Sequence, residues 1–431
     1  MAMSQRLTSR SSGRRTKVED PAYRGMVVAA TGWIKVGGSV TLRDCMTLER
    51  SLPDRAEVVI IGGGVMGASA AFHLAEAGVT DVVLLEADQL SCGSTSKSAG
   101  GVRLQFSDEI NIALALRSMD AFERFGDRPG ADIGLRQVGY LFLLTDPADV
   151  TLFEQNTALQ NSMGVPSRML SAAEAGRLST LANVDDVLAA SICMRDGHAT
   201  PDAVVLGYAT AARAMGVEVL TRCPVIGIDV DAGEITGVRT ERGTVATSTV
   251  ICVAGAWSPP IAAMVGVHLP VQPVARPIWF TEPMPNRPEH LPMTIDFTTG
   301  FYYHSEGPGL LFGMADPDQP PGFDAPMRPD WLEVVGDVVA HRAPALLEVG
   351  IAGGWHGYYE TTPDHNALIG EAAGVSRFIY ATGFSGHGFL LGPAVGEVLR
   401  DLVLGRTPPV DVSGFDVERF AGETRPERNI V

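Results

Sequence analysis

From Glu57 onward, short apolar runs alternate with longer stretches whose apolar residues recur at helical spacing. "EVVII" (57–61) predicts a buried strand, Met66 to Ala77 a helix, and "DVVLLEAD" (81–88) a second parallel strand. Together they make one βαβ unit. The alternation returns twice. "DAVVLGYATAARAMGVEVL" (202–220) predicts a helix and a strand, then short strands turn at Asp231–Gly233 and Arg242–Gly243 and close on "TVICVAG" (249–255). "RFIYATG" (377–383) predicts a further strand before "FSGHGF", with a helix beginning near Pro393. Two insertions separate these pieces. The second is rich in Pro, Gly and aromatics ("QPVARPIWFTEPMPNRPEHLP", "GFYYHSEGPGLLFG"), which predicts strands and loops rather than helices.

At 431 residues the chain exceeds one ordinary core, so the pieces are read as two domains. Residues 56–135, 190–265 and 350–431 form a discontinuous nucleotide-binding domain, and 136–189 with 266–349 a substrate domain. Residues 1–55 are rich in Ser and Arg and lack the apolar core of a secretory signal, so a disordered extension is expected. A transit-like leader, or translation starting at Met46, are the alternatives. The expected location is therefore cytoplasmic, or mitochondrial if that stretch is a leader. A formal net charge of −17 opposes nucleic-acid or anionic-membrane partners, and no apolar run approaches the roughly 20 residues of a membrane span. The five cysteines are scattered with no C-x-x-C pair, so neither a disulfide framework nor a metal site is expected.

Gly62, Gly64 and Gly67 satisfy G-x-G-x-x-G between a strand and a helix. The first suits a tight turn, the second lets a pyrophosphate approach the backbone, and the third allows close helix–strand packing. The helix N-terminus, with Val65 and Met66, then faces an anion. Glu86, followed by Ala87, ends the next strand at the distance expected of an acid on ribose hydroxyls, which disfavours a ribose phosphate. The chain then leaves the unit through "SCGSTSKSAGG", where Thr95, Ser98, Ala99, Gly100 and Gly101 can wrap a long cofactor with backbone groups. It returns to the nucleotide sheet only far downstream. A resident dinucleotide, FAD, follows from that discontinuity.

With these residues in view, the chain resembles the D-amino-acid oxidase superfamily, nearest its sarcosine-oxidase and dimethylglycine-dehydrogenase branch. The resemblance runs from Glu57 to Gly405. It rests on "IGGGVMGASAAFHLAEAG", "LLEAD", "GGVRLQF…ALRS", "VICVAGAWS", "TPDHNALIG" and "ATGFSGHGF…GPAVGEVL". It implies an α/β plus α+β two-domain fold, with a Rossmann-like FAD domain of the glutathione-reductase type and a mixed-sheet substrate domain. Val225, Ala254, Gly255 and Trp257 join the cofactor contacts. So do Gly386, His387, Gly388, Phe389 and Leu390, whose loop and helix would aim N–H groups at the flavin O2. By the same resemblance Arg103 pairs with a substrate carboxylate and Tyr303 and Tyr359 line the pocket, while His387 is a candidate base. The plainer readings are a surface ion pair for Arg103, core packing for the tyrosines and a structural imidazole for His387.

Some positions depart from that pattern. The cysteine that tethers flavin in monomeric sarcosine oxidase falls at Gly357, and the tethering histidine of dimethylglycine dehydrogenases falls near Lys97, which implies non-covalent FAD. Leu311 and Leu390 stand where that oxidase has lysines, one credited with oxygen activation and one with carboxylate binding. An acceptor-linked dehydrogenase acting on a bulkier substrate is therefore expected, although O2 stays open as the acceptor. The expected reaction is oxidation of the C–N bond of a secondary or N-methylated amino acid, by hydride transfer to flavin N5 and hydrolysis of the imine. The alternatives are a D-amino-acid or 2-hydroxy-acid oxidoreductase, and a FAD-binding assembly factor without turnover, after the mitochondrial protein that "SAGGVRLQF" also resembles.

Overall fold

The computed structural model describes residues 51–430. A six-stranded sheet runs, in spatial order, Leu368–Glu371, Phe378–Thr382, Val250–Cys252, Val58–Ile61, Val82–Leu85 and Glu218–Leu220. All neighbours are parallel except the first pair. Its central strands are buried throughout, as expected of parallel strands covered on both faces. Val65–Glu76 and Gly388–Val403 pack together on one side, and small residues let them approach. A Cβ on Gly396 would stand 2.1 Å from Ser69 Oγ.

The second sheet has eight strands, ordered Ile351–Thr361, Gln272–Thr281, Gly309–Gly313, Phe301–Glu306, Met293–Asp296, Tyr140–Leu144, Ala189–Cys193 and Arg168–Leu170. It is mixed: Met293–Asp296 lies parallel to Tyr140–Leu144, and the other pairs are antiparallel. Strands Ala189–Cys193 and Ile351–Thr361 belong to this sheet, which shifts both boundaries read from the sequence. The helix Trp331–Arg342 corrects the expectation of strands and loops alone in the second insertion. Trp331, Val335 and Val339 share one helical stripe and are buried against the sheet. Arg342 ties the helix down through Asp296 (2.9 Å) and Asp186 (2.8 Å).

The C-terminal helix begins at Gly388, so Pro393 lies inside it rather than at its start. Residues 51–55, expected in the disordered extension, are tied in: Ala246 N–H donates to the Asp54 carbonyl at 2.9 Å. The remainder of that expectation lies outside the described residues. Among the described residues no helix is long and apolar enough to cross a membrane.

Candidate functional site

A cavity of about 720 Å³ spans both sheets, lined at one end by Ile61 and Leu85 and at the other by Tyr140, Met293 and Tyr302. Its volume is that of a site burying a sizeable organic ligand. The glycine turn forms one end. Gly62 has φ +117°, and a Cβ there would stand 2.4 Å from the Val253 carbonyl oxygen. A Cβ on Gly67 would stand 1.9 Å from the Gly62 carbonyl oxygen, so strand and helix meet without room for a side chain. Glu86 accepts from Gly63 N–H at 2.7 Å and from Asp88 N–H at 2.8 Å, which fixes the carboxylate at the cavity edge. Thr95 Oγ1 accepts from Val65 N–H at 3.2 Å at the helix start.

The polar stretch after Glu86 closes over this end by binding the second sheet. Ser94 Oγ donates to the Tyr358 carbonyl at 2.7 Å, and Trp355 Nε1 donates to the Lys97 carbonyl at 3.2 Å. Every residue expected to contact the cofactor lines the cavity except Gly67 and Gly100, which serve backbone packing instead. Gly357 and Lys97 face each other: a Cβ on Gly357 would lie 3.0 Å from Lys97 Cβ.

At the other end the "GFSGHGF" turn meets Tyr359. Gly386 has φ +101°, and a Cβ there would stand 2.3 Å from the Tyr359 ring. His387 lines the cavity, 3% exposed, with neither ring nitrogen hydrogen-bonded. Burial, then the charges of Arg103 and His365, hold its pKa well below the ordinary imidazole value, so it stays neutral near pH 7. Glu360 accepts from Thr382 Oγ1 at 2.8 Å and Gly383 N–H at 3.1 Å; burial pushes its pKa up to about 7 against those donors.

Arg103, Tyr359 and His387 line this cavity together, but Tyr303 does not. Successive strand residues face opposite ways, and Tyr302 is the cavity residue of the pair. Tyr303 points to the far face, fully buried against Phe301 and the helix Trp331–Arg342, its hydroxyl 2.8 Å from Ser179 Oγ. Sequence reasoning also passed over Tyr140, Arg276, Ile278, Met293, Glu360 and Ile430, all on the cavity wall. The one available signal was Arg276, a lone cation in the apolar run "PVARPIWF". Leu311 packs with Ile278 and Tyr302, and among the described residues the cationic side chains on the wall are Lys97, Arg103 and Arg276.

These residues fit a flavin dinucleotide: a glycine turn at a helix start, an oriented acid, a wrapping polar loop, and a second glycine turn at the far end. Comparisons with known proteins agree. Human mitochondrial sarcosine dehydrogenase is 30% identical over 396 residues, covering 86% of this chain but 42% of that protein, so the chain spans less than half of that relative. FAD-dependent oxidoreductase domain-containing protein 1 of Xenopus laevis is 32% identical, covering 88% of this chain and 85% of that protein. The crystal structure of L-proline dehydrogenase from P. horikoshii superposes with a TM-score of 0.82 at 34% identity, covering 87% of this chain and 100% of that one. The family profile described as FAD dependent oxidoreductase (DAO) matches residues 57–402, and the chain belongs to that family of FAD-dependent oxidoreductases.

Proposed function

We propose that this chain oxidises the C–N bond of a secondary or N-methylated amino acid, passing the electrons to an acceptor other than O2. The observation that carries this reading is the amphipathic end of the cavity, where arginine side chains share a wall with Tyr140, Tyr302, Tyr359, Ile278 and Met293. A cation there holds a carboxylate, and the apolar and tyrosine surfaces hold an alkyl or cyclic amine body. The six-stranded sheet with its glycine turn is the Rossmann-like FAD domain in this reading, and the eight-stranded sheet roofs the substrate. FAD supplies the two-electron acceptor when bound; the protein supplies position and exclusion of water.

No strong base is needed if the amine binds deprotonated, and neutral, unpartnered His387 admits such an amine without charge repulsion. Leucine at position 311 supports the non-O2 acceptor, because it offers no fixed cation for charge developing on oxygen. The test is anaerobic titration of FAD-loaded protein with sarcosine, N-methyl amino acids, proline, D-alanine and 2-hydroxyglutarate. Loss of visible flavin absorbance with a secondary or N-methyl amine supports the proposal. Bleaching by D-alanine or 2-hydroxyglutarate alone, or by none of the panel, overturns it.

A further inference from the structure

Arg103 and Arg276 both reach the cavity, but they are committed very differently. The Arg103 guanidinium is 5% exposed, with Nη1 donating to the Gln105 carbonyl and Nη2 to the Asn429 carbonyl, both at 2.5 Å. Its Cζ lies 4.2 Å from the Phe106 ring centroid. Both terminal nitrogens already serve main-chain carbonyls, and the Phe106 ring stands beside the group, so less of the fork is left for a carboxylate. Asn429 is itself fully buried: its Oδ1 accepts from Asn156 Nδ2 at 2.9 Å, and its N–H donates to Glu427 Oε1 at 2.9 Å. The next residue, Ile430, lines the cavity.

Arg276 is the opposite case. Its Nε is buried with no hydrogen-bond partner, and Nη1 donates only to the carbonyl of its neighbour Ala275, at 3.3 Å. It makes no ion pair among the described residues, and its guanidinium stands 5.3 Å from the Tyr359 ring centroid. A shielded cation with an orphaned donor is costly unless an anion arrives to use it.

We propose that Arg276 receives the substrate carboxylate, and that Arg103 is a positioning residue that holds segment 427–430 so that Ile430 walls the pocket. This rests on reading the cavity as an amino-acid site. It narrows the substrate to a monocarboxylate whose amine carries an apolar, cyclic or N-alkyl body, packed against Ile430, Ile278 and Met293.

The test uses a matched, non-oxidisable pair, pyrrole-2-carboxylate and pyrrole-2-carboxamide, titrated into FAD-loaded protein while the visible flavin spectrum reports binding. The native protein prefers the carboxylate by at least about tenfold. Arg276→Gln abolishes the preference, leaving carboxamide affinity and FAD content unchanged, and Arg276→Lys restores part of it. Arg103→Gln and Ile430→Ala weaken both probes together while keeping the preference. A preference retained within about twofold in Arg276→Gln, a preference lost in Arg103→Gln, or a native protein that does not favour the carboxylate overturns the assignment. The two proposals fail separately: an intact preference that needs Arg276, with no amine bleaching the flavin, sinks only the reaction. Bleaching with a preference indifferent to Arg276 sinks only this assignment.

Discussion

Gly62 and Gly386 hold positive φ angles that L side chains resist, and at both the space for a Cβ is filled, by the Val253 carbonyl and the Tyr359 ring respectively. Gly62→Ala is expected to displace the turn at one end of the cavity, and Gly386→Ala to push Tyr359 at the other. Both variants should be purified with a markedly lower visible-to-ultraviolet absorbance ratio than the native protein. Retention of full FAD content by either would contradict this. Gly62, Gly67 and Glu86 were legible in the sequence because a strand, a glycine cluster and a helix leave few other conformations. Tyr302 was not. The strand "FYYHS" is apolar or aromatic on both faces, Phe301 to His304 being buried alike, so its pattern holds no parity signal. Arg276 was obscured for a related reason: one arginine in an apolar run reads equally as a strand-edge residue snorkelling to water.

The helix Gly388–Val403 carries a proline in its interior, and the neighbouring helix compensates for it. Pro393 has no N–H to give, and the next N–H, that of Ala394, donates to Ser118 Oγ at 3.1 Å on the helix Glu109–Glu123. Ser118→Ala would remove that inter-helix hydrogen bond, at a cost of about 0.5–1.5 kcal/mol. A fall in Tm of about 1–2 degrees is expected, with FAD content unchanged, read by thermal denaturation of the loaded protein. The sequence placed this helix's start at Pro393 because proline favours first turns. Packing against Val65–Glu76, and the chain's exit from the glycine turn, start it five residues earlier. The helix Trp331–Arg342 was missed for the converse reason. The Pro- and Gly-rich flanks dominate the local composition, although Trp331, Val335 and Val339 carry a helical period.

At the scale of the molecule, the order of pieces was readable and their edges were not. Residues 190–193 of the strand Ala189–Cys193, and all of Ile351–Thr361, fall in the ranges read as the nucleotide domain, yet both strands pair into the other sheet. Only non-local hydrogen bonding decides such membership. In the turn after the strand Ala189–Cys193 lies Asp196, fully buried, which accepts from Leu104 N–H at 2.9 Å and Gln105 Nε2 at 3.0 Å. Burial pushes its pKa up to about 7 despite those donors. Its bound proton therefore stabilises the fold fully below the unfolded carboxyl value of about 4, and this stability is lost as pH rises through about 7. Asp196→Asn should flatten that loss, so Tm should fall less from about pH 5 to 8 in the variant than in the native protein. Equal falls would contradict the assignment. The buried histidines tilt both proteins alike and cancel in the comparison. FAD, lacking a tether at Gly357 or Lys97, should appear in the supernatant after acid precipitation rather than with the polypeptide.

The stitching of the 91–99 stretch to the strand Ile351–Thr361, through Ser94 and Lys97, has a kinetic side. Because that stretch covers the cleft from above, a cofactor without a covalent bond escapes only when those contacts part. Its departure is then governed by how often the flap breathes, and each breath bares a Ser-rich peptide to any protease at hand. Stripping the yellow colour from this protein and nicking it near Ser94 should accordingly share one rate.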